Sequence, residues 1–372
     1  MWLRGLELSS FRNYAGQAVA FGDGVNVVYG LNGQGKTNLL EGAYYCSTCK
    51  SHRTSRDADL IMGGGESFSL RAATESRFGG KSVGIRYDKG SARQVTVNGN
   101  KVAKASQVMG SVCSVLFSPE DTQMLRQGPS ARRRFLDVTL CQVRPAYLSG
   151  LQAYGRALRQ KNAYLSGGMG DRGVIGAFNA QFAKAGAHIT LCRLEALAMY
   201  GEMARAFHDR LSSGREALGV RYAPNISVGA GRDAAPEEGR MAAAFAETLS
   251  SVMGEEMRRG ASLVGPQRDD FTLTLDGEDI RSRGSQGQQR TSVLAMKLSE
   301  ALIMERYLGE SPILLLDDVM SELDSERRST LEEAVGGMQV IMTCTDRPGR
   351  GGGAMHGARL YRVDRGKVFE EA

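Results

Sequence analysis

The feature that most constrains the fold is a glycine-rich loop between a strand-like and a helix-like segment. The run Val25–Tyr29 is short, apolar and rich in valine, as in a buried strand. The residues that follow it match the pattern G-x-x-x-x-G-K-[ST]: Gly30, Leu31, Asn32, Gly33, Gln34, Gly35, Lys36 and Thr37. Residues 38–43 are then typical of the first turns of a helix. Strand, glycine loop and helix in this order predict a phosphate-binding P-loop in an α/β fold.

Each residue type in this loop suits a bound triphosphate. Glycines allow backbone N–H groups to turn toward the phosphates, and the helix N-terminus adds a partial positive charge. We expect Lys36 to contact the β- and γ-phosphates of ATP and the hydroxyl of Thr37 to ligate Mg²⁺. The sequence therefore predicts that Gly30–Thr37 binds ATP together with Mg²⁺.

A second motif supplies the carboxylates that such a site needs. The aliphatic run Ile313–Leu316 is followed directly by Asp317 and Asp318. An aliphatic strand ending in two acids often marks only the end of a strand, but the P-loop favours a functional interpretation. We expect Asp317 to hold the Mg²⁺ shell and Asp318 to orient the attacking water. With Lys36, these two acids form the predicted catalytic set.

The distance between the two motifs predicts an insertion. Gly30 and Asp317 lie 287 positions apart (317 − 30), far more than one βαβ unit needs. We therefore predict a discontinuous nucleotide-binding lobe, residues 1–130 plus 263–372, and an inserted second lobe, residues 131–262. Periodicity predicts that the insertion is mainly helical over three segments: Leu148–Leu165, Ala177–Leu211 and Met241–Arg259.

A second glycine site stands before the aspartate strand. The residues Ser285–Arg290 precede a helical pattern with leucines at 294, 298 and 302. A serine and a glycine at a helix start can bind phosphate through hydroxyl and N–H groups. The simpler alternative is an N-capped helix, and the residues alone favour that alternative.

The order of these motifs resembles an ABC-type ATPase head of the SMC class, and more narrowly the RecF family of bacterial recombination and repair proteins. The resemblance extends essentially from end to end. It rests on the P-loop and on seven further blocks: Phe11–Tyr14, Lys50–Thr54, Phe117–Asp121, Arg132–Asp137, Val264–Asp270, Ser285–Arg290 and Leu314–Asp324. The fold it implies is a P-loop ABC/SMC-type head of mixed sheets and helices, with an inserted, mainly helical second lobe.

The resemblance also implies roles for residues outside the P-loop. Ser285, Gly287 and Gln288 match the signature motif, which in this class contacts the γ-phosphate held by the opposite subunit. Residues 321–324 match the D-loop at the same interface. Residues 343–346 stand where many relatives carry a switch histidine and contain none, so the γ-phosphate sensor stays unassigned. The Q-loop glutamine has no match near Phe117–Asp121, and Gln267 stands where many relatives have histidine.

The function implied is an ATP-dependent DNA-binding protein of recombinational repair and replication, including the SOS response to DNA damage. Two copies would pair around two ATP molecules and load onto single-stranded or gapped DNA with other recombination mediator proteins. Many ABC ATPases have Glu where this chain has Asp318, and the shorter side chain predicts slow hydrolysis that acts as a timer. The resemblance implies a weak ATPase that DNA stimulates. Two alternatives stay open: a non-hydrolysing, ATP-bound scaffold that recruits repair proteins, and a soluble subunit of a transport ATPase.

Charge permits a DNA partner without requiring one. The formal net charge is +6, and the stretch 81–104 is denser in basic residues, with only Asp88 opposing them: Lys81, Arg86, Lys89, Arg93, Lys101 and Lys104. Such a face can neutralise phosphates without reading bases, although a solvated strand face explains it equally well. Arg53 is a candidate for contacting nucleotide or DNA, and Arg132–Arg134 fit DNA, a subunit interface or solubility.

Several other classes of protein are disfavoured. The six cysteines lack the spacing of a disulfide framework. Cys46, Cys49 and His52 resemble a metal or redox fragment, but no second pair completes a tetrahedral site, so buried thiols are expected. No apolar run approaches the roughly 20 residues of a membrane span, and the N-terminus lacks a signal-peptide pattern. We expect a cytoplasmic protein with no membrane partner.

Overall fold

The computed structural model describes residues 1–168, 170–226, 237–347 and 357–371. The chain forms two compact units, each built from separated stretches. The first comprises Met1–Thr122, Arg210–Gly214 and Val293–Ala372, and the second Gln123–Asp209 and Arg215–Ser292.

The described residues form both strands and helices, which are numbered separately along the chain. The strands are β1 (Trp2–Phe11), β2 (Tyr14–Ala20), β3 (Val25–Tyr29), β4 (Ser67–Glu75), β5 (Lys81–Asp88), β6 (Gln94–Val97), β7 (Asn100–Lys101), β8 (Ser114–Phe117), β9 (Leu218–Ala223), β10 (Asp270–Leu275), β11 (Glu278–Asp279), β12 (Ile313–Leu316), β13 (Val340–Cys344), β14 (Arg359–Asp364) and β15 (Lys367–Glu371). The helices are α1 (Lys36–Thr48), α2 (Gln123–Arg126), α3 (Pro129–Val143), α4 (Pro145–Ser166), α5 (Arg172–Ser212), α6 (Glu238–Arg259), α7 (Ile280–Arg283), α8 (Gln286–Leu308) and α9 (Ser325–Ala334).

One sheet of the first unit is antiparallel, in the order β2-β1-β4-β5-β6-β7. Its strands alternate buried and exposed residues, so one face packs on the core and the other faces water. The Asn98-Gly99 turn joins β6 to β7, with φ of 51° at Asn98 and 78° at Gly99. Both central residues of a type I′ turn need positive φ, which explains this dipeptide.

The second sheet of this unit is mixed, in the order β15-β14-β3-β13-β12-β8. Strands β14, β3, β13, β12 and β8 run parallel, and β15 pairs antiparallel with β14. Strand β12 lies between two parallel neighbours and is buried throughout, which explains its unbroken aliphatic run Ile313–Leu316. Parallel strands bring their carboxyl ends to one edge of the sheet, and ligands of open α/β sheets bind outside such an edge.

The second unit consists mainly of helices α2–α7 and the first residues of α8, with the small antiparallel sheet β11-β10-β9. The three predicted helices of the insertion are confirmed as α4, α5 and α6. Residues 263–292, which we predicted to belong to the nucleotide-binding lobe, lie in the second compact unit, because β10 pairs with β9 there. The limits of the two lobes that we drew from the motifs, residues 1–130 plus 263–372 and residues 131–262, stay a prediction. None of the helices in the described ranges is long and apolar enough to span a bilayer.

Candidate nucleotide-binding site

Four neighbouring parallel strands end at one edge of the mixed sheet, and residues singled out in the sequence lie at or directly after each of these ends. The P-loop follows β3, and Asp317 and Asp318 follow β12. The segment Ser118–Asp121 follows β8, while Thr343 and Cys344 end β13. The structure therefore brings the predicted P-loop and aspartate motifs together in the first unit.

Two loop glycines occupy positions that strongly favour glycine. Gly30 has φ of 148°, and a Cβ atom there would lie 2.4 Å from the carbonyl oxygen of Val363. Gly35 has φ of 121°, and a Cβ atom there would lie 2.6 Å from the side-chain nitrogen of Asn13. The positive φ favours glycine at both positions, and at Gly30 the close approach of the Val363 backbone leaves no room for a side chain. The loop is thus a narrow cradle that ends at the N-terminus of α1, where anions bind favourably.

Lys36 starts α1 and is buried beneath the loop. Its ammonium donates hydrogen bonds to the carbonyl oxygens of Gly30 and Leu31, the latter at 3.1 Å. The side chain of Lys36 thus reaches across the loop in which it is predicted to contact the phosphates of ATP. Leu31, by contrast, leaves 71% of its surface exposed.

The predicted magnesium ligands lie within hydrogen-bonding distance of each other. Thr37 Oγ1 donates to Asp317 Oδ1 at 3.0 Å, and Thr343 Oγ1 donates to the same oxygen at 2.8 Å. Burial raises the pKa of the Asp317 carboxyl, and the two threonine hydrogen bonds offset part of that rise. A hydroxyl and a carboxylate are the hard oxygen donors that Mg²⁺ prefers, so this pair fits the metal predicted from the sequence.

Asp318 has a left-handed backbone, with φ of 53°. Its N–H donates to Thr343 Oγ1 at 2.9 Å, and its carbonyl accepts from Ser321 Oγ at 2.8 Å. Aspartate is among the few residues that adopt this conformation at modest cost. The turn after β12 therefore directs the chain away from the sheet immediately after Asp317, three residues before the predicted D-loop at 321–324.

The turn between β1 and β2 holds the P-loop in place, a role that the sequence did not reveal. Asn13 Nδ2 donates to the carbonyl of Gln34 at 2.7 Å, and Tyr14 Oη donates to the carbonyl of Gly35 at 3.0 Å. From the other side of the loop, the backbone N–H of Arg365 donates to Gln34 Oε1 at 2.7 Å. The resemblance marked Phe11–Tyr14 as a block but did not indicate what it contacts.

A buried carboxylate fixes the helix that follows the loop. Glu41 is fully buried on α1 and accepts hydrogen bonds from Arg12 Nε at 2.8 Å and Nη2 at 2.7 Å. Ser51 Oγ donates to it at 2.6 Å, and Arg53 Nη1 approaches at 3.4 Å while also donating to Asn38 at 2.8 Å. Burial opposes ionisation of Glu41, but the Arg12 and Ser51 hydrogen bonds outweigh it and lower its pKa. Arg53 thus lies beside the P-loop helix.

The end of β8 carries a second buried ionic group. Asp121 Oδ2 accepts from the backbone N–H of Ser118 at 2.7 Å, and Lys297 on α8 pairs with Glu300 at 2.7 Å. Burial raises the pKa of Asp121 to about 6, although the nearby Lys297 opposes that rise. These contacts give the Phe117–Asp121 block a structural basis, and its relation to the Q-loop stays unassigned.

The Ser285 turn, residues Ser285–Gln288, begins α8 in the second unit. Ser285 Oγ accepts from the backbone N–H of Gln288 at 3.2 Å, and the backbone N–H of Ser285 donates to Gln288 Oε1 at 2.7 Å. This reciprocal pair is a capping box, the simpler alternative that the sequence left open. Ser285 and Gly287 are exposed, and Gln288 also donates to Glu216 at 2.8 Å. A capped helix start and a phosphate contact are compatible, so the predicted signature role stays a prediction.

The cysteine and histidine side chains are present as buried thiols and a packed imidazole. Cys46 and Cys49 are buried free thiols, as expected. His52 packs edge-on against Tyr44 at 5.6 Å, and burial lowers its pKa to about 4. Among the described residues no cluster of three His, Cys, Asp or Glu side chains could hold a metal ion.

Some basic residues proposed for DNA are used inside the fold. Arg93 donates to Tyr45 Oη and to the carbonyl of Cys49, each at 2.6 Å. Arg86 pairs with Asp88 at 2.7 Å, whereas Lys101 and Lys104 are exposed. The basic stretch 81–104 therefore presents less free charge than its composition indicates.

The arginine block of the second unit also faces inward at its first residue. Arg132 is buried and makes two hydrogen bonds to Asp270, at 2.7 Å and 2.8 Å. Arg133 donates to the carbonyl of Asp269 at 2.7 Å. Arg132 therefore has a structural role that was not among those left open for this block, because it joins α3 to Asp270, the first residue of β10. Gln267 accepts a hydrogen bond from Tyr154 in the same unit.

Known proteins share this arrangement. The RecF/RecN/SMC N-terminal domain family matches residues 2–353. Over 372 aligned residues the chain is 42% identical to the DNA replication and repair protein RecF of Symbiobacterium thermophilum, with 99% of this chain and 98% of that protein covered. A solved structure of the recombination mediator protein RecF with ATP, in the RecFOR pathway, has a TM-score of 0.91 at 31% identity and covers 100% of this chain and 98% of its own.

More distant structures share the fold alone. An SMC head bound to the C-terminal winged-helix domain of ScpA has a TM-score of 0.57 at 13% identity, covering 100% of this chain and 98% of its own. The predicted fold class, an ABC/SMC-type ATPase head of mixed sheets and helices, is therefore confirmed. The family match along nearly the whole sequence, with the RecF relatives at full length, shows that this chain belongs to the RecF family.

Proposed function

We propose that this protein is an ATP-dependent, DNA-binding switch of recombinational repair and replication, in which two copies pair around two ATP molecules. The observation that carries the proposal is the Thr37–Asp317 pair at the edge of a sheet whose neighbouring loop is a glycine cradle. The RecF relatives, one of them solved with ATP, support the same assignment.

The proposed nucleotide site uses the residues predicted from the sequence. The backbone of Gly30–Thr37 and the ammonium of Lys36 would bind the phosphates of ATP. Thr37 and Asp317 would hold Mg²⁺, which when bound neutralises charge on the phosphate oxygens. Asp318 would orient the water that attacks the γ-phosphate.

The Ser285 turn is proposed to complete the site of a second copy. Ser285 Oγ acts as an acceptor in its capping box, so its own proton is the one that a phosphate oxygen could accept. The turn is exposed and lies at a helix N-terminus, where anions bind favourably. Because ATP would then contact both copies, ATP binding would strengthen pairing by mass action.

Hydrolysis is proposed to be slow and to reset the pair. Asp318 is one methylene shorter than glutamate and leaves the strand in a left-handed turn. We therefore propose a weak, DNA-stimulated ATPase that releases the paired state after a delay.

DNA binding is proposed to be independent of sequence, on single-stranded, gapped or junction DNA. Other recombination mediator proteins would be the partners, and the cytoplasm would be the location.

Analytical ultracentrifugation with and without ATP tests the proposal. Wild-type protein should change from monomer to dimer on adding ATP. Lys36→Ala should lose both ATP binding and pairing, whereas Asp318→Asn should give a dimer that persists because hydrolysis stops. An oligomeric state that ignores ATP in all three proteins would contradict the proposal.

DNA binding needs its own measurement, since it separates the switch from the scaffold alternative. Single-turnover hydrolysis with single-stranded, duplex and gapped DNA, at stated salt concentration, should show faster turnover on the DNA that is bound. Binding of ATP without any turnover, with or without DNA, would favour the scaffold that recruits repair proteins. Capture of a membrane permease would instead favour the transport subunit.

A further inference from the structure

Thr343 is a buried polar residue at the end of an otherwise apolar strand. It follows Val340–Met342 on β13, and only 1% of its surface is exposed. A buried hydroxyl is costly unless it is hydrogen-bonded, so its partners indicate why it is there. Both partners belong to the aspartate motif at the end of β12.

The hydroxyl of Thr343 joins the two acids of that motif. Its oxygen accepts the backbone N–H of Asp318 at 2.9 Å, and its proton is donated to Asp317 Oδ1 at 2.8 Å. A hydroxyl has one proton and can accept with its lone pairs, so both bonds form at once. Thr343 is therefore a direct link between the carboxylate of Asp317 and the main chain of Asp318.

The link acts where the sheet no longer holds the chain. Asp317 N–H donates to the carbonyl of Phe117 on β8 at 2.9 Å, which is the last backbone bond on that side. On the β13 side, the next backbone N–H bonds to the Thr343 side chain instead. Asp318 has φ of 53° at this point. Its left-handed backbone conformation therefore depends on the hydrogen bond that its N–H donates to Thr343.

We propose that Thr343 is a positioning residue that orients the Asp317 carboxylate for Mg²⁺ and holds Asp318 in its left-handed turn. This inference rests on the proposed function, since it concerns how the same site holds Mg²⁺·ATP. Thr343 and Thr37 both donate a hydrogen bond to Oδ1 of Asp317, and the two bonds restrict rotation of the carboxylate. Residues that orient a metal ligand in this way commonly affect metal-dependent steps by about 10- to 100-fold when removed.

The test compares Thr343→Val, which keeps the shape but removes both hydrogen bonds, with Thr343→Ser, which keeps them. Affinity for a fluorescent ATP analogue is measured by titration with Mg²⁺ and with EDTA, and hydrolysis is measured in single turnovers. We expect Thr343→Val to bind the analogue in EDTA nearly as well as wild type. The factor by which affinity is higher in Mg²⁺ than in EDTA, the hydrolysis rate, or both should be lower than in wild type by about 10-fold or more.

Two further variants make the result specific. Thr343→Ser should recover most of the lost rate, because its hydroxyl can make both bonds. Thr330→Val, which loses the bond from Thr330 Oγ1 to the carbonyl of Glu326 on α9, is a matched control and should behave as wild type.

The proposal is overturned if Thr343→Val matches wild type in both measurements, or if Thr343→Ser fails to recover. It is equally overturned if Thr343→Val loses affinity equally in EDTA and Mg²⁺, since the role is then structural only. The proposed function fails on a different result, namely retention of ATP binding and pairing by Lys36→Ala.

Discussion

The P-loop edge of the sheet and the Ser285 turn are both glycine-containing helix starts, yet they are built in opposite ways. At the P-loop, Gly30 and Gly35 have positive φ, and neighbouring residues come within contact of the backbone. At the Ser285 turn, Gly287 has no positive φ, and the nearest atom to a Cβ there is 3.9 Å away. The first helix start has no side-chain cap, whereas the second is closed by its own capping box.

The difference indicates which of the two helix starts is already prepared for a ligand within a single copy of the chain. The P-loop leaves the N–H groups of α1 without a side-chain cap, which suits a ligand that supplies acceptors. The Ser285 turn pairs the backbone N–H groups of Ser285 and Gln288 within its own capping box, so its local structure demands a ligand less than the P-loop does. If the Ser285 turn binds phosphate, we infer that the second copy and its ATP provide the reason.

The largest expected effect on folding comes from removing the carboxylate that fixes α1. Glu41→Ala would leave the Arg12 guanidinium without its buried partner, at a cost of about 3–5 kcal/mol in unfolding free energy. The matched variant Glu41→Gln keeps the volume and one acceptor and should lose less. Urea denaturation of the three proteins measures the difference, and equal midpoints would show that this contact does not stabilise the P-loop edge.

The same carboxylate predicts a pH dependence with a definite sign. The pKa of Glu41 is lowered from its ordinary value of 4.5 in the folded protein. Its contribution is therefore fully present above about pH 4.5 and is lost as the pH falls through the lower, folded-state pKa. The difference in unfolding free energy between wild type and Glu41→Gln should therefore decrease over that acidic pH range. An increase there would contradict the stabilising role of the Glu41 carboxylate.

A smaller loss of unfolding free energy is expected when a side chain is introduced at a glycine of the P-loop. Gly30→Ala would combine an unfavourable φ with a Cβ atom 2.4 Å from a backbone oxygen, a cost of about 2–3 kcal/mol. Gly33→Ala is the control, because it shares a positive φ but has no atom within 4 Å, so about 1 kcal/mol is expected. Thermal melts and ATP titrations of both variants would show whether close approach or φ alone makes glycine necessary here.

The sequence predicted the P-loop edge well because its signals are local. Val25–Tyr29 and Ile313–Leu316 are unbroken apolar runs, and each motif follows its strand directly. Parallel pairing then places the two motifs at one edge of the sheet. The helices of the second unit were predicted for a similar reason, since their periodicity extends over many turns.

The contacts that support the site could not be predicted, because they join residues far apart in sequence. Asn13 and Arg365 reach Gln34 from opposite directions along the chain, and Thr343 reaches Asp317 from the neighbouring strand. A polar residue ending an apolar strand was the only signal for Thr343. Composition likewise could not show that Arg93 and Arg132 face inward, since their acceptors come from other elements.

The smallest expected effect on folding, and the sharpest test of the comparison, lies at Ser285. Ser285→Ala removes the cap and should cost about 1 kcal/mol of unfolding free energy, whereas Ser285→Asp keeps an equally good cap. If the turn contacts the ATP of a second copy, the added charge of Ser285→Asp should repel the phosphates and prevent ATP-dependent pairing in a protein of wild-type stability. Ser285→Ala should weaken pairing less, despite its lower stability. Pairing that follows the melting temperatures of the two variants, instead of their charge, would mean that the Ser285 turn is a helix cap and nothing more.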